Sequence, residues 1–410
     1  MKVVWPCPWF GDYRVPVFSN LNTLLDGGLM VYYSLPEEGS RLGVTDSTHK
    51  KMQERLGRNC MGLQPRTFEF GDSSSDMANK SLIIRYQPDL YKRLKEYDPD
   101  IVIAEAFGGW SMISVMYALL HRKKLMMFYE RTAYVERNSP WWRNLYRKIV
   151  GFPVKTFLVN GCLTTDYLRN SLGFKKQEYI EGLMVADSDG LSRDVSLFKS
   201  SHEYLLLKDS LGLKSKGVTY LFVGQMVERK GINQLLAAWI EHISAFPNDT
   251  LLVLGTGILL EQLRETYGNI QSIKILGKVP YDEIHKYYAI SDVFFIPTLE
   301  DNWCLVLPEA MSCGMPVASS VYNGGYYELI AQPGGDNFDK YNLKGALING
   351  KNGVAFDPLC KDTLLSALAF FHNVDLKQMG AASREIIKNF TPKIAAEKIA
   401  NACREFVYGK

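Results

Sequence analysis

The feature that most constrains this chain is the alternation, through its second half, of short wholly apolar runs with longer segments of helical spacing. Val218 to Val223 is compact and apolar and ends at Gly224, as a strand buried on both faces should. Ile232, Leu235, Leu236, Trp239, Ile240 and Ile243 then fall on one face of a helix. The pattern repeats: a strand over Leu251 to Leu254, closed by Gly255-Thr256-Gly257, and a helix through Leu259, Leu260, Leu263 and Tyr267. A strand over Ser272 to Leu276, a helix from Tyr281 to Ala289 and a strand from Val293 to Pro297 follow. A helix from about Leu305 to Ser312, a stop at Gly314 and a strand from Pro316 to Ser319 complete the series. Strands this short alternating with helices predict right-handed βαβ units and a doubly wound parallel sheet.

The first half has the same grammar. Lys2 to Trp5, Ile101 to Ala104, Leu125 to Tyr129 and Thr156 to Val159 read as strands, and Ser111 to His121 as a helix. Gly39 to Asp76, rich in Gly, Ser, Asp and Arg, reads as loops, and the polar, aperiodic Asp187 to Ser201 as a hinge-containing linker. Pro392 to Phe406 is an amphipathic helix through Ile394, Ala395, Ile399, Ala402 and Phe406. With 410 residues, two domains are expected, 1–195 and 205–390, with the last helix (392–408) packing back on the first.

Composition narrows the function classes. The formal net charge is +3, too small to argue for nucleic acid. Residues 1–190 carry 25 Lys+Arg against 21 Asp+Glu and the remainder 22 against 23, so the first half is mildly basic. The seven cysteines form no CxxC pair and sit at no histidine spacing, which predicts a reduced, cytoplasmic protein whose cysteines are small core residues. No run of apolar residues is long enough for a signal peptide or a membrane span. Contact with the inner face of a membrane stays open through Arg137 to Lys148, where aromatic and basic residues interleave on a predicted helix. A partly buried helix with a solvated basic face explains the same segment, as does stacking on a sugar.

Two segments carry chemistry. Val223 to Gly231 runs from a strand end into a helix, where free amides and the helix dipole favour an anion, with Lys230 as a nearby cation. An exposed turn is the plain structural alternative. Thr298 to Val317 runs from a strand end through a loop into a helix that must start near Leu305 to Leu307, because Pro308 is tolerated only in a first turn. Glu309 then lies where a carboxylate could accept hydrogen bonds from a ribose diol, or simply offset the helix dipole. Asp301 stands in the loop above it, beside the amides of Asn302, Trp303 and Cys304, as a sugar ligand or a loop cap.

Thr298 to Val317 resembles the E-x7-E segment of retaining glycosyltransferases of family 4 (glycosyl transferases group 1), and Val223 to Gly231 resembles their phosphate-binding G-R-L-x-x-x-K-G turn. Ile275 to Pro280 falls where that family holds a nucleobase, and Asn349 to Phe356 looks like its late E-N-G-x-L-F turn. The resemblance implies a GT-B fold: two Rossmann-like doubly wound domains facing a central cleft. It implies a hexosyl transfer from a nucleoside diphosphate (NDP) sugar to a glycan, lipid-linked or small-molecule acceptor, with retention, of the kind used in polysaccharide biosynthesis. Lys230, Asp301 and Glu309 would be catalytic; Gly11, Gly224, Gln225, Arg229, Val279, Asn302, Trp303, Cys304 and Leu305 would join them around the donor. Tyr13, Arg14, Glu130 and Arg131 are acceptor-side candidates. No cofactor and no metal are implied. Three departures stand out: Gln225 replaces the arginine of the phosphate turn, Asp301 (or Glu300 beside it) the first acid, and Glu130-Arg131 the histidine commonly found after the fourth strand. They leave room for a non-catalytic GT-B subunit that binds nucleotide sugar or a partner enzyme, and the same fold hosts NDP-sugar epimerases.

Overall fold

The computed structural model describes residues 1–35, 44–71, 81–186, 189–331 and 343–409. They fall into two compact units, residues 1–186 with 390–410, and 187–389.

The first unit contains β1 (Val3–Pro6), α1 (Val15–Leu24), β2 (Leu29–Ser34), α2 (Asp46–Leu56), β3 (Cys60–Leu63), β4 (Arg66–Gly71) and β5 (Ser81–Tyr86). There follow α3 (Leu90–Tyr97), β6 (Ile101–Glu105), α4 (Gly109–Leu120), β7 (Lys124–Tyr129), α5 (Trp141–Gly151), β8 (Thr156–Val159), α6 (Cys162–Asp166) and β9 (Glu178–Ile180). The second unit contains α7 (Asp189–Lys199), α8 (His202–Ser210), β10 (Thr219–Val223), α9 (Ile232–Ala245), β11 (Thr250–Leu254), α10 (Leu260–Tyr267), β12 (Ile273–Gly277) and α11 (Ile284–Ile290). It continues with β13 (Val293–Ile296), α12 (Val306–Ser312), β14 (Val317–Ser320), β15 (Leu347–Asn349), β16 (Gly353–Phe356), α13 (Lys361–Phe370) and α14 (Leu376–Ile387). The chain then returns to the first unit as α15 (Pro392–Tyr408).

Each unit is built on a seven-stranded sheet, ordered β3-β2-β1-β6-β7-β8-β9 and β12-β11-β10-β13-β14-β16-β15. Within these two sheets every pairing is parallel except β15 with β16, while β4 and β5 form a separate antiparallel pair. In both sheets the chain starts near the middle, works to one edge and then resumes on the other side. The strand order therefore reverses between β1 and β6, and again between β10 and β13. At such a switch point the connections leave in opposite directions and open a crevice at the strand carboxyl ends. The central strands are buried throughout, which is why they read as continuous apolar runs.

Two expectations need correcting. Gly39 to Asp76 is not all loop: α2, β3 and β4 form within it, while 39–43 and 72–76 lie outside the described residues. Asp187 to Ser201 is mostly the helix α7, anchored by Leu191, Val195 and Phe198; Asp187 and Ser188 lie outside the described residues. Both helices are predominantly polar and bury a narrow stripe, so their periodicity is diluted.

The terminal helix has a clear beginning. The Thr391 hydroxyl accepts the Ile394 N–H and Pro392 occupies the first turn. Its face of Ala395, Ala396, Ile399, Ala400, Ala402 and Cys403 joins the core that contains Val17, Phe18 and Leu21 of α1. Unit one therefore depends on residues added to the chain after unit two. Ile399→Ala should destabilise unit one by about 2–5 kcal/mol through cavity formation. Urea unfolding followed separately in each unit should show the loss in the first unit alone.

Candidate functional site

The second unit's switch point brings together the two segments singled out in the sequence. β10 and β13 are neighbours, paired at Tyr220 with Val293 and Leu221 with Phe294. The turn after β10 and the loop after β13 consequently leave the sheet side by side. Glu228 to Lys230 form a single 3-10 turn ahead of α9. Gly231 joins them with φ +69°, and a Cβ there would lie 1.9 Å from the Pro297 carbonyl oxygen. Glycine is thus required for backbone packing between the two loops, rather than to admit a ligand. The Arg229 carbonyl accepts the Leu299 N–H at 2.8 Å and the Thr298 hydroxyl at 3.1 Å, completing the junction.

The junction aligns Lys230 with Asp301: Nζ lies 2.5 Å from Oδ2, with both side chains largely buried. Burial alone would lower the ammonium's pKa, but the Asp301 carboxylate more than reverses this and holds it above its ordinary value. Burial would likewise raise Asp301, and Lys230 with Arg229 hold it below the usual carboxylate range. Arg229 Nη1 lies 3.8 Å from Asp301 Oδ2 and donates to the Glu300 carbonyl at 3.0 Å, while its Nε is buried without a hydrogen-bond partner. Of the two adjacent acids it is Asp301 that pairs with the lysine; Glu300 is buried.

The expected role of the loop amides changes. The Trp303 N–H faces Asp301 Oδ1 at 3.3 Å, and the Cys304 N–H donates to Asn323 Oδ1 at 2.9 Å. These amides are engaged within the protein and do not stand open to a diphosphate. Asn323, absent from the sequence reading, also accepts the Gly325 N–H at 3.2 Å and donates to Ser319 at 3.0 Å. Asp301 forms a lone parallel bridge with it. This side chain therefore ties the loop to the end of β14.

Glu309 lies in the first turn of α12 and accepts the Tyr288 hydroxyl at 3.2 Å. Burial pushes its carboxyl up to about 7, against the Tyr288 hydrogen bond. Cys304 is buried within electrostatic reach of Lys230, Asp301 and Glu309, its thiol pushed up to about 12 by burial. Leu305 caps α12, Gln225 is exposed, and Gly224 is partly exposed at the end of β10. Val279 follows β12, two strands from β10. A further glycine constraint belongs here: Gly255 has φ +139°, and a Cβ on it would lie 1.8 Å from the Gly224 carbonyl oxygen.

In the first unit, Gly11, Tyr13 and Arg14 follow β1 at the other switch point. Arg14 is turned inward: Nη1 lies 2.8 Å from Glu105 Oε1 at the end of β6, and its guanidinium lies 3.9 Å from the Phe128 ring centroid. The Trp5 indole N–H donates to the other Glu105 oxygen at 2.8 Å. Tyr13 packs on Gly11, and burial raises its hydroxyl well above the ordinary value. Arg131 Nη1 lies 2.9 Å from Glu136 Oε1, whose other oxygen receives Arg147 Nη2 at 2.8 Å. Arg14 and Arg131 are thus members of internal ion pairs. The Glu130 carbonyl accepts from Asn160 at 3.3 Å and Thr164 at 3.2 Å, fixing the backbone after β7. Glu105, Glu136 and Tyr288 are partners that sequence reasoning missed; Glu105 and Tyr288 lie 91 and 21 residues from their mates, and Glu136, five from Arg131, lies in a loop without periodicity.

Among the described residues, one trio could hold a metal ion: His242, Asp249 and His372, with ligand atoms within 4.8 Å of one another. Both Nε2 atoms lie 2.8 Å from Asp249 Oδ2, so the three also satisfy one another by hydrogen bonding. Asp249 directly precedes β11, so the trio stands at the amino ends of the strands, whereas Lys230 follows the carboxyl end of the neighbouring β10. Cys162 and Cys360 are partly buried and the other five cysteines are buried; all seven are free thiols. Among the described residues, no helix is long and apolar enough to cross a membrane.

Residues 206–352, all within the second unit, match the family model described as glycosyl transferases group 1. Alpha-monoglucosyldiacylglycerol synthase of Acholeplasma laidlawii is 26% identical over 161 residues, covering 38% of this chain and 36% of that protein. An uncharacterized glycosyltransferase of Methanocaldococcus jannaschii is 31% identical over 162 residues, 39% of this chain and 38% of that one. The matches thus span well under half the length of these curated relatives. The fold comparison covers both units: the Anabaena protein HepE, in complex with UDP and glucose, superposes with a TM-score of 0.66 at 15% identity, covering 98% of this chain and 99% of that one. Residues 206–352 are thus similar to the glycosyl transferases group 1 domain, within a chain that has the GT-B fold.

Glu309 generates a prediction. A ribose diol donates to a carboxylate better than to a carboxylic acid; if Glu309 holds such a diol, affinity for an NDP-sugar, whose diphosphate diester does not titrate near neutrality, should rise with pH through about 7, the value to which Glu309 is pushed. Glu309→Gln should flatten that rise. Calorimetry from pH 5.5 to 8.5 on both proteins checks it (pH values set roughly around the shifted group); a pH-dependent rise that persists in the variant would remove Glu309 from the ribose.

Proposed function

We propose that the chain transfers a glycosyl group from an NDP-sugar to an acceptor, with retention, as a member of glycosyltransferase family 4. The observation that carries this reading is the buried Lys230 ammonium, kept charged at the carboxyl end of β10 beside the loop that bears Asp301. A departing diphosphate accumulates negative charge as the glycosidic bond breaks, and a fixed cation stabilises that charge. Lys230 is assigned to the diphosphate, Arg229 Nε to the same anion, Glu309 to the ribose and Asp301 to the hexose. Gly224, Gln225, Val279 and Leu305 would line the donor through backbone and van der Waals contact.

The relative from Acholeplasma laidlawii is named for a glucosylated diacylglycerol, and HepE was solved with UDP and glucose. The ligands of HepE favour a UDP-sugar donor here, and the name of the Acholeplasma relative favours a lipid acceptor over a soluble glycan. The first unit is assigned to the acceptor. Tyr13 and Glu130 are its candidates, because Arg14 and Arg131 already serve internal carboxylates. The proposed chemistry calls on no metal. Incubating the protein with a panel of NDP-sugars and measuring NDP release tests the reading. Binding without release would instead support a non-catalytic subunit, the alternative that Gln225 keeps open.

The ion pair sharpens the mutational test. Lys230→Ala removes a charge-assisted contact worth roughly 1.5–3 kcal/mol, so UDP affinity should fall at least about tenfold. Asp301→Asn should act in the opposite direction on free UDP, because it releases Lys230 from its internal partner and leaves a net cation for the diphosphate. The same variant should lose turnover with UDP-sugar, since the hexose loses its carboxylate. Weaker UDP binding in Asp301→Asn would show that Asp301 positions Lys230 rather than competes for it.

A further inference from the structure

The first unit carries an apolar surface that nothing in the described chain covers. α4, Gly109 to Leu120, contains no charged residue and is apolar around its whole circumference. Its inner face of Trp110, Ile113, Tyr117 and Ala118 is buried in the sheet-facing core. Its outer face of Met112, Met116, Leu119 and Leu120 is 48–67% exposed. A helix that is hydrophobic all round ordinarily has protein or lipid on both sides, and α4 has protein on only one.

α5 repeats the arrangement. Arg147, Val150 and Gly151 are buried, whereas Trp141, Leu145, Ile149 and Phe152, spaced three to four residues apart, are 50–81% exposed. The strands β6, β7 and β8 are consecutive and parallel, so right-handed crossovers place α4 and α5 on the same face of the sheet. Both helices contribute to the same core cluster, and a Cβ on Gly151 would touch Phe107, just ahead of α4. The two exposed stripes therefore belong to one side of the unit. Exposed apolar groups massed on two adjacent helices far exceed the scattered surface hydrophobics of an ordinary protein.

The charge flanking this surface is mainly positive; the acid beside it, Asp98, is paired with Lys123. From Ala106 to Tyr129 and from Arg137 to Thr165 there is no aspartate or glutamate. Arg122, Arg137, Lys148 and Lys155 are exposed within those stretches. Two apolar stripes whose own helices bear no acid, flanked mainly by cations, match the boundary of an anionic bilayer, where acyl chains lie beneath phosphate groups.

We propose that the outer faces of α4 and α5 dock the protein on an anionic lipid bilayer. Trp141, Leu145, Ile149 and Phe152, together with Met116, Leu119 and Leu120, enter the headgroup–acyl boundary, and Arg122, Arg137, Lys148 and Lys155 meet lipid phosphates. The inference rests on this surface alone and is independent of the sugar-transfer reading.

Vesicle flotation of the full chain tests it. The protein should float with phosphatidylcholine–phosphatidylglycerol vesicles, weakly or not at all with phosphatidylcholine alone, and less as salt rises. Ile149→Glu with Phe152→Glu, and separately Met116→Glu with Leu120→Glu, should each lower partitioning at least about tenfold. Both double variants change exposed positions, so their thermal unfolding and UDP affinity should match the parent, which separates docking failure from misfolding and from loss of the donor site. Brominated lipids should quench tryptophan fluorescence in the parent and less in Trp141→Ser. Two results would overturn the proposal: no flotation with anionic vesicles, or a stable dimer in light scattering that the double variants dissociate while lipid binding is absent. The latter would assign the face to a second copy of this chain.

Discussion

A lysine ammonium buried at the end of a parallel strand is costly unless a carboxylate shares its surroundings. Lys230 and Asp301 meet that condition across two loops 71 residues apart in sequence, and the rest of the second unit's site is arranged around their contact. Only neighbouring strands can deliver it. β10 and β13 are adjacent because the strand order reverses between them. Gly231 then lets the turn after β10 pass against the Pro297 carbonyl, at a separation no other residue permits. Asn323 fixes the other side of the loop through its hydrogen bonds to Cys304, Gly325 and Ser319. The pair is thus the product of sheet topology and backbone packing, and its geometry is set before any ligand arrives.

The first unit solves the same topological problem differently. At its own reversal point, between β1 and β6, a cation and a carboxylate again face each other as Arg14 and Glu105. Here the guanidinium lies over Phe128, and the Trp5 indole N–H occupies the second carboxylate oxygen. Aromatic rings and an internal donor leave this pair with nothing to exchange for a ligand. On the proposed reading, Lys230 by contrast has a partner that a diphosphate can replace. Two topologically equivalent positions in two similar sheets therefore hold a structural lock and a candidate ligand site. The difference lies in what surrounds the pair.

The parts of the fold legible in the sequence were those governed by local burial. Thr156 to Val159 and Val293 to Ile296 are buried on both faces, so their apolar runs mark the strands directly. α2 and α7 were not legible, because each buries only three side chains in an otherwise polar helix. The same limit applied to the site. Lys230, Asp301 and Glu309 stood out from their place at strand ends and a helix start, but their partners did not. Tyr288 reaches Glu309 from the preceding helix, and Asn323 reaches Cys304 from beyond β14. Spacing encodes neighbours on one element; it does not encode which loops the sheet order brings together. Arg14 and Arg131 illustrate the converse error, since an arginine near a strand end resembles a ligand cation until its internal carboxylate is seen.

Asp301 and Glu309 lie eight residues apart, yet their environments push them in opposite directions: Lys230 and Arg229 keep Asp301 ionised, while burial brings Glu309 to about 7. Paired carboxylates separated in this way generally have different tasks. A permanently ionised Asp301 neutralises Lys230 in the empty site, and so guards a buried cation that would otherwise be unstable. A Glu309 poised near neutrality can stay uncharged beside Tyr288 and ionise when a hydroxyl pair offers it hydrogen bonds. On the proposed reading, each charge that a nucleotide meets is therefore matched by one the protein already balances. The diphosphate takes over Asp301's role toward Lys230, and the ribose supplies the donors that make Glu309's charge tolerable. On that reading the Lys230 charge has a partner in both states, whereas Glu309 takes up its charge only when donors are supplied, so neither group is left as an unpaired buried ion.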